Sequence, residues 1–164
     1  MSPLDPKIAA RLGSALAAGP AQLLDMLNGL FRALPGVRTV TWLAALPAQK
    51  ITRRIGTSDP QNFPLGGFDP IDDAAWSRRI YVDKQPIVGN TPAEMAAYIP
   101  ETDDLVKMGY GATLCAPIVI GGEARGTVNL LGDANIFTPA LLAELNALLP
   151  IAALIFTFEG IGAR

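Results

Sequence analysis

The chain has 164 residues, 50% hydrophobic and 17% charged, which fits one domain burying roughly 70% of its unfolded surface and excludes a disordered polymer. Its formal charge of −2 comes from 13 Lys and Arg against 15 Asp and Glu with no basic block, so a nucleic-acid binder built on clustered cations is excluded. With no histidine and one cysteine, Cys115, the chain lacks the material for His-held haem, His- or Cys-rich metal sites, a His-dependent triad or an internal disulfide, and it suits a reducing cytoplasm.

In chain order, the opening segment mixes acid and base and has no basic start before an unbroken apolar run, so it does not read as a signal peptide. Asp5-Pro6 is an N-cap followed by a first-turn proline, predicting a helix that ends near Gly19-Pro20. A second helix is predicted over Ala21 to Leu34, with Leu23, Leu24, Leu27, Leu30 and Phe31 at helical spacing, stopped by Pro35-Gly36. Val37 to Leu46, rich in Val, Thr and Trp, reads as a strand, and Gln49 to Gly56 as its antiparallel partner. The Pro- and Gly-rich segment from Thr57 to Asp73 reads as an ordered surface loop that Phe63, Leu65 and Phe68 can anchor.

Asp72 to Pro86 is predicted as a capped helix with acids at its start, and "PIVGN" as a short strand. Thr91 to Tyr98 and Thr102 to Met108 read as short helices separated by Ile99-Pro100. In "GYGATLCAPIVIGGEARGTVNLLGD", Gly109 to Asp133, two apolar runs flank a Gly-Gly turn, the pattern of a hairpin. The apolar segment Pro139 to Phe158 approaches spanning length, but Glu144, Asn146 and Pro150 interrupt it and Thr138-Pro139 opens it like a cap. It is therefore predicted as a helix buried on most sides, with no membrane contact. The expected organisation is a single domain over 1–164: helices in 1–34, sheet and pocket in 37–133, and a closing helix over 138–159.

Strand residues alternate between faces. Ala112, Leu114 and Ala116 share one side of their strand while Thr113 and Cys115 share the other; Val128 and Leu130 likewise oppose Thr127, Asn129 and Leu131. Strands grouped as hairpins, with helices at both chain ends, predict an α+β antiparallel sheet whose apolar face lies under the terminal helices. The mixed face then looks toward the loop and the short helices. A buried Asn129 amide needs hydrogen-bond partners, which a ligand, water or neighbouring backbone supplies.

"ATLCAPIVIGGEARGTVNLLGD" followed by an apolar helix resembles the GAF domain family, with Pro117, Gly121-Gly122, Gly126 and Asn129 where that pattern places them. The resemblance runs from about Val37 to Phe158. Within the family, "RRIGTSDPQNFPLGG", "DDAAWSRRI" and "PIVGNTPAEMAAYIP" are similar to small stand-alone bacterial members. The resemblance implies a profilin-like sheet with a ligand cavity between the sheet and its covering loops and short helices. It also implies small-molecule binding (cyclic nucleotides, tetrapyrroles, haem or amino-acid derivatives) and a homodimer through the terminal helices. A few members, the free methionine sulfoxide reductases, are enzymes that bind substrate with acidic residues on these two strands. Here those places hold Thr113, Asn129 and Leu131, and a single cysteine cannot run their thiol relay. The cysteine or histidine that anchors a bilin or haem is not evident either, so no cofactor and no metal are expected.

The candidate ligand-binding residues are Trp76, Arg79, Tyr110, Thr113, Cys115 and Asn129. Trp76 would cover a flat or apolar ligand, Arg79 would hold an anionic group with its guanidinium fork, and Tyr110, between two glycines, would stand at the cavity mouth. The plainer assignment makes Trp76 core, the threonines ordinary strand formers and Cys115 a small buried hydrophobe. Asp103, Asp104 and Lys107 fit an N-terminal helix turn stabilised by acids. Three functions stay open: a sensor binding a small molecule, a small enzyme using Cys115 with Arg79 and Tyr110 or Asp104, and a structural dimerisation module.

Overall fold

The computed structural model describes residues 4–162. Asp5 caps α1 (Pro6–Ala18), its carboxylate accepting from the backbone N–H of Lys7 at 2.7 Å and of Ile8 at 3.4 Å. Gly19, at φ 122, separates α1 from α2 (Pro20–Arg32), which starts on Pro20. Leu23, Leu27 and Phe31 on α2 are wholly buried, as their spacing predicts.

Six strands follow: β1 (Val37–Leu46), β2 (Ile51–Thr57), β3 (Phe68–Pro70), β4 (Ile87–Gly89), β5 (Ala112–Ile120) and β6 (Glu123–Gly132). They form one antiparallel sheet in the order β3-β2-β1-β6-β5-β4, so two three-stranded meanders join where β1 pairs with β6. Gly121 and Gly122 turn the β5–β6 hairpin with φ 61 and 82, the left-handed pair that a two-residue hairpin loop requires. At the β1–β6 seam Gly126 lies so close to the Leu43 carbonyl and the Phe156 ring that a Cβ would strike both.

The register sorts the side chains as alternation predicts. Val40, Trp42, Ala44, Ala112, Leu114, Ala116, Val128 and Leu130 face α2 and the closing helix, and with them make the main core. That closing helix is α6 (Pro139–Ala152), continued by a 3₁₀ turn over Ala153–Thr157. Thr138 caps it, Oγ1 accepting from the Leu141 N–H at 3.2 Å. Thr138→Ala should therefore lower stability by about 1 kcal/mol, readable as a shifted urea midpoint with an unchanged slope.

Three expectations need correction. Pro139–Thr157 is a 19-residue helical run, long and apolar enough to cross a membrane, yet only 28% of its most apolar window is buried. Leu141, Leu145, Ala152, Ile155 and Phe156 enter the core while Ala143, Asn146, Ala147 and Pro150 face outward, so this helix is amphipathic by size more than by polarity and is not buried on most sides. The segment 57–73 contains β3, and of its proposed anchors only Phe63 is half-buried: Leu65 and Phe68 are 62% and 66% exposed, Phe68 standing on the edge strand. The helix expected over 72–86 shrinks to α3 (Ala75–Ser77) and a π-helical turn over Arg78–Val82. Ile80, Tyr81 and Val82 are weak helix formers, and the widened turn lets Ile80 bury completely. Lys84, at φ 54, ends the run. The short helices are α4 (Pro92–Ala96) and α5 (Thr102–Lys107), close to their predicted bounds.

Candidate functional site

The face of the sheet turned away from the terminal helices is built in transverse rows. Thr57, Thr41, Asn129, Cys115 and Ile87 stand side by side across β2, β1, β6, β5 and β4. The next row is Arg54, Leu43, Thr127 and Pro117, and on the other side lie Thr39, Leu131, Thr113 and Gly89. Farther along β2, Thr52 pairs with Asp69 of β3. Polar side chains thus occupy the middle of the sheet because every second residue of four strands points to this side.

The cover consists of the segment 58–67, the π-helical turn, α4 and α5. Over β1, Tyr110 shares a 2.6 Å hydrogen bond with the Thr39 hydroxyl, packs its ring 6.3 Å from Phe63, and carries the Arg38 guanidinium 4.6 Å above it. Phe63 in turn lies 5.7 Å from the Arg54 guanidinium. Over β5, Trp76, Tyr81, Tyr98 and Ile99 pack against Ile80, Ile87 and Cys115, with Trp76 and Tyr81 edge to face at 5.8 Å.

Five buried side-chain polar atoms among the described residues have no hydrogen-bond partner: Thr52 Oγ1, Arg54 Nε, Tyr81 Oη, Thr127 Oγ1 and Asn129 Oδ1. Four of them project from this one face and Tyr81 belongs to its cover. Each such atom costs about 1–3 kcal/mol when left dry, so five within one region is a concentration that packing alone does not favour. Asn129 is held by its other end, Nδ2 donating to Thr41 Oγ1 at 3.3 Å.

The electrostatics follow burial. Desolvation pushes the Cys115 thiol from its ordinary 9.0 up to about 11, with the neighbouring Trp76 and Thr113 side chains opposing the rise. Tyr81 is raised as well, first by desolvation and then by the charges of Cys115 and Asp69. Desolvation lowers Arg54, with Asp69 pulling the other way. Among the described residues no group of three or more His, Cys, Asp or Glu is placed to hold a metal ion.

Of the residues singled out in the sequence, Trp76, Tyr110, Thr113, Cys115 and Asn129 all come to this face or its cover. Thr113 is satisfied by the backbone, its hydroxyl donating to the Leu130 carbonyl at 3.3 Å. Arg79 is not brought in: its Nε donates to the Pro86 carbonyl at 3.1 Å at an exposed position. The guanidinium on this face is instead that of Arg54, which sequence reasoning passed over together with Thr52, while Thr127 on the mixed face, Phe63 as a loop anchor and Tyr81 were seen without being chosen as site residues. Alternation in "QKITRRIG" carried the signal for Thr52 and Arg54, which share a face. Two surface clefts, of about 340 Å³ beside Pro35, Ile136 and Glu144 and about 300 Å³ beside Leu46, Arg125 and Phe156, lie away from this face.

No protein-family model matches the sequence, and no curated protein is found that resembles it. Solved structures do. The chain superposes on the GAF domain of a phosphoenolpyruvate-protein phosphotransferase from Coxiella burnetii with a TM-score of 0.69 and 20% identity, over 96% of each chain. The GAF domain of the corresponding Acinetobacter protein gives 0.70 at 9% identity, over 98% of this chain and 100% of that one. The GAF domain of a two-component sensor histidine kinase from Bacillus halodurans gives 0.68 at 13% identity, over 83% and 92%. The fold is that of the GAF domains, an antiparallel α+β sheet with helices on one side.

Proposed function

We propose, proceeding from the GAF fold, that the chain is a sensory or regulatory domain that binds a small molecule on the loop-covered face of its sheet. The observation that carries this reading is the gathering of the unpartnered Thr52, Arg54, Tyr81, Thr127 and Asn129 atoms on that face, beside the aromatic rings of Phe63, Trp76 and Tyr110. A bound molecule would satisfy polar groups whose burial is otherwise uncompensated. One of the solved neighbours is the GAF domain of a two-component sensor histidine kinase, which supports a sensory role.

Cys115 serves this reading as lining. A thiol 4% exposed, with its pKa pushed up to about 11, is a poor nucleophile at neutral pH, which weighs against the enzymatic alternative. We further propose a cytoplasmic homodimer through the terminal helices, supported by the outward Ala143, Ala147, Pro150 and half-exposed Leu154 of the closing helix and its extension. Light scattering should give twice the 17.3 kDa chain mass; the single-chain mass at micromolar concentration would refute the dimer.

Native mass spectrometry of the purified protein beside a denatured control tests the binding role. A co-purifying small molecule, or metabolites that raise the melting temperature with concentration as RT ln(1 + [L]/Kd), is the expected result. Neither mass nor shift across a broad metabolite extract would defeat it and leave a structural module.

A further inference from the structure

Among the described residues, Arg54 has a guanidinium edge on this face that is left unused. Its Nη1 donates to the Pro64 carbonyl at 3.1 Å, and its backbone is tied to the same cover by Arg54 N to Gly67 O at 2.7 Å and Gly66 N to Arg54 O at 3.0 Å. The guanidinium carbon stands 5.7 Å over the centre of the Phe63 ring. That leaves the edge formed by Nε and Nη2, of which Nε is buried without a partner. No carboxylate of the described residues forms an ion pair with it. Asp69, on the same face of β3, is felt as a charge but makes no bond.

The free edge of a guanidinium matches the two oxygens of a carboxylate as a pair of parallel hydrogen bonds. Other cations are committed elsewhere: Arg38 bonds Asp133, Arg53 bonds the Gly162 carbonyl and Arg79 bonds the Pro86 carbonyl. A lone, partly desolvated cation is suited to a single negative charge and poorly suited to a phosphate dianion. Two strands across and two residues along the sheet, about 12 Å at the backbone, Asn129 offers the complementary group, an Oδ1 that can only accept. Its orientation is set by the Nδ2 bond to Thr41.

We propose that this face takes a small carboxylate that also bears a hydrogen-bond donor, its carboxylate held side-on by Arg54 Nε and Nη2 and its donor by Asn129 Oδ1. This assignment rests on the small-molecule reading above and narrows it to a chemical class.

The test uses the full chain with lactate, glycerate, alanine, N-acetylglycine, propionate, lactamide and inorganic phosphate as probes, read by thermal shift and calorimetry. Hydroxy- or amino-carboxylates should stabilise the protein, with lactamide and phosphate inactive and propionate weaker because it lacks the donor. Arg54→Gln should weaken binding roughly ten- to hundred-fold, and Arg54→Lys, which keeps the charge but not the paired edge, should weaken it similarly. Asn129→Leu should erase the difference between lactate and propionate. Circular dichroism and urea midpoints confirm that the variants are folded.

Lactamide or phosphate binding as well as lactate, Arg54→Gln leaving affinity unchanged, or no probe binding at all would each overturn the carboxylate class. The native mass spectrum decides the broader reading independently: a co-purifying neutral molecule displaced by none of the acids would keep a binding face and reject this ligand.

Discussion

Trp42→Ala is expected to lower the free energy of unfolding by about 3–5 kcal/mol, the range for emptying a large aromatic site, and to cost more through the polar atom it strands. Trp42 is wholly buried in β1 and meets Phe31 of α2 edge to face at 5.4 Å. Its indole N–H donates to Asn28 Oδ1 at 2.8 Å, and Asn28 Nδ2 donates onward to the Thr57 carbonyl at 3.2 Å. One side chain thus ties a helix to two strands. Gly56, opposite Trp42 in the register, leaves room for the indole: a Cβ there would lie 2.9 Å from its Cδ1. Alanine opens a cavity, removes the aromatic contact and leaves Asn28 Oδ1 unpaired, a further cost of about 1–3 kcal/mol. Against a total stability of roughly 5–15 kcal/mol, the variant should melt about 10 °C or more below the parent. Trp42→Phe, which keeps most of the volume and loses the N–H, should fall between. A Trp42→Ala midpoint within about 1 kcal/mol of the parent would contradict this packing.

The second large effect is alkaline destabilisation. Burial raises Cys115 from 9.0 to about 11, so the folded state holds a proton that the unfolded chain releases first. The stabilisation from this group is complete below pH 9 and is lost as pH climbs toward 11, amounting to about 2–3 kcal/mol for two pKa units. Tyr81, also raised by desolvation, acts in the same direction above its ordinary 10.0. Urea midpoints measured between pH 8 and pH 11 should therefore fall for the parent. Cys115→Ala should remove the cysteine share of that decline, and iodoacetamide should label native Cys115 slowly at pH 8 but readily in denaturant. Equal pH dependence in parent and variant would show that the thiol titrates normally.

The two predictions concern opposite faces of one sheet, and their legibility in the sequence differed for that reason. The helix-facing core was readable because it is local and periodic: Leu23, Leu27 and Phe31 recur every three to four residues, and Val128 and Leu130 every two. The same period predicted that Thr113, Cys115, Thr127 and Asn129 would share the other face, as the register shows. Periodicity failed where an element is short. The three-residue β3 has too few residues to alternate, and the turn over Arg78–Val82 widens to bury Ile80, a demand made by packing that no capping signal announces.

The arginines mark the boundary most clearly. Arg54 and Arg79 are each one of an Arg-Arg pair in a polar stretch, and composition does not separate them. Their partners are separated in space by the chain's long-range pairing: Arg54 stands opposite Leu43 and meets Phe63, while Arg79 reaches the Pro86 carbonyl.

By itself, then, the sequence determined the helices that cap on Asp5 and Thr138, the hairpin that turns at Gly121-Gly122, the two-faced sheet and the likeness to GAF domains, because caps, glycine turns and alternation are set by neighbours along the chain. Only the tertiary structure decided which polar atoms are buried without partners, which guanidinium lies beneath the cover and how high the Cys115 thiol is driven, because burial and pairing are set by residues distant in sequence.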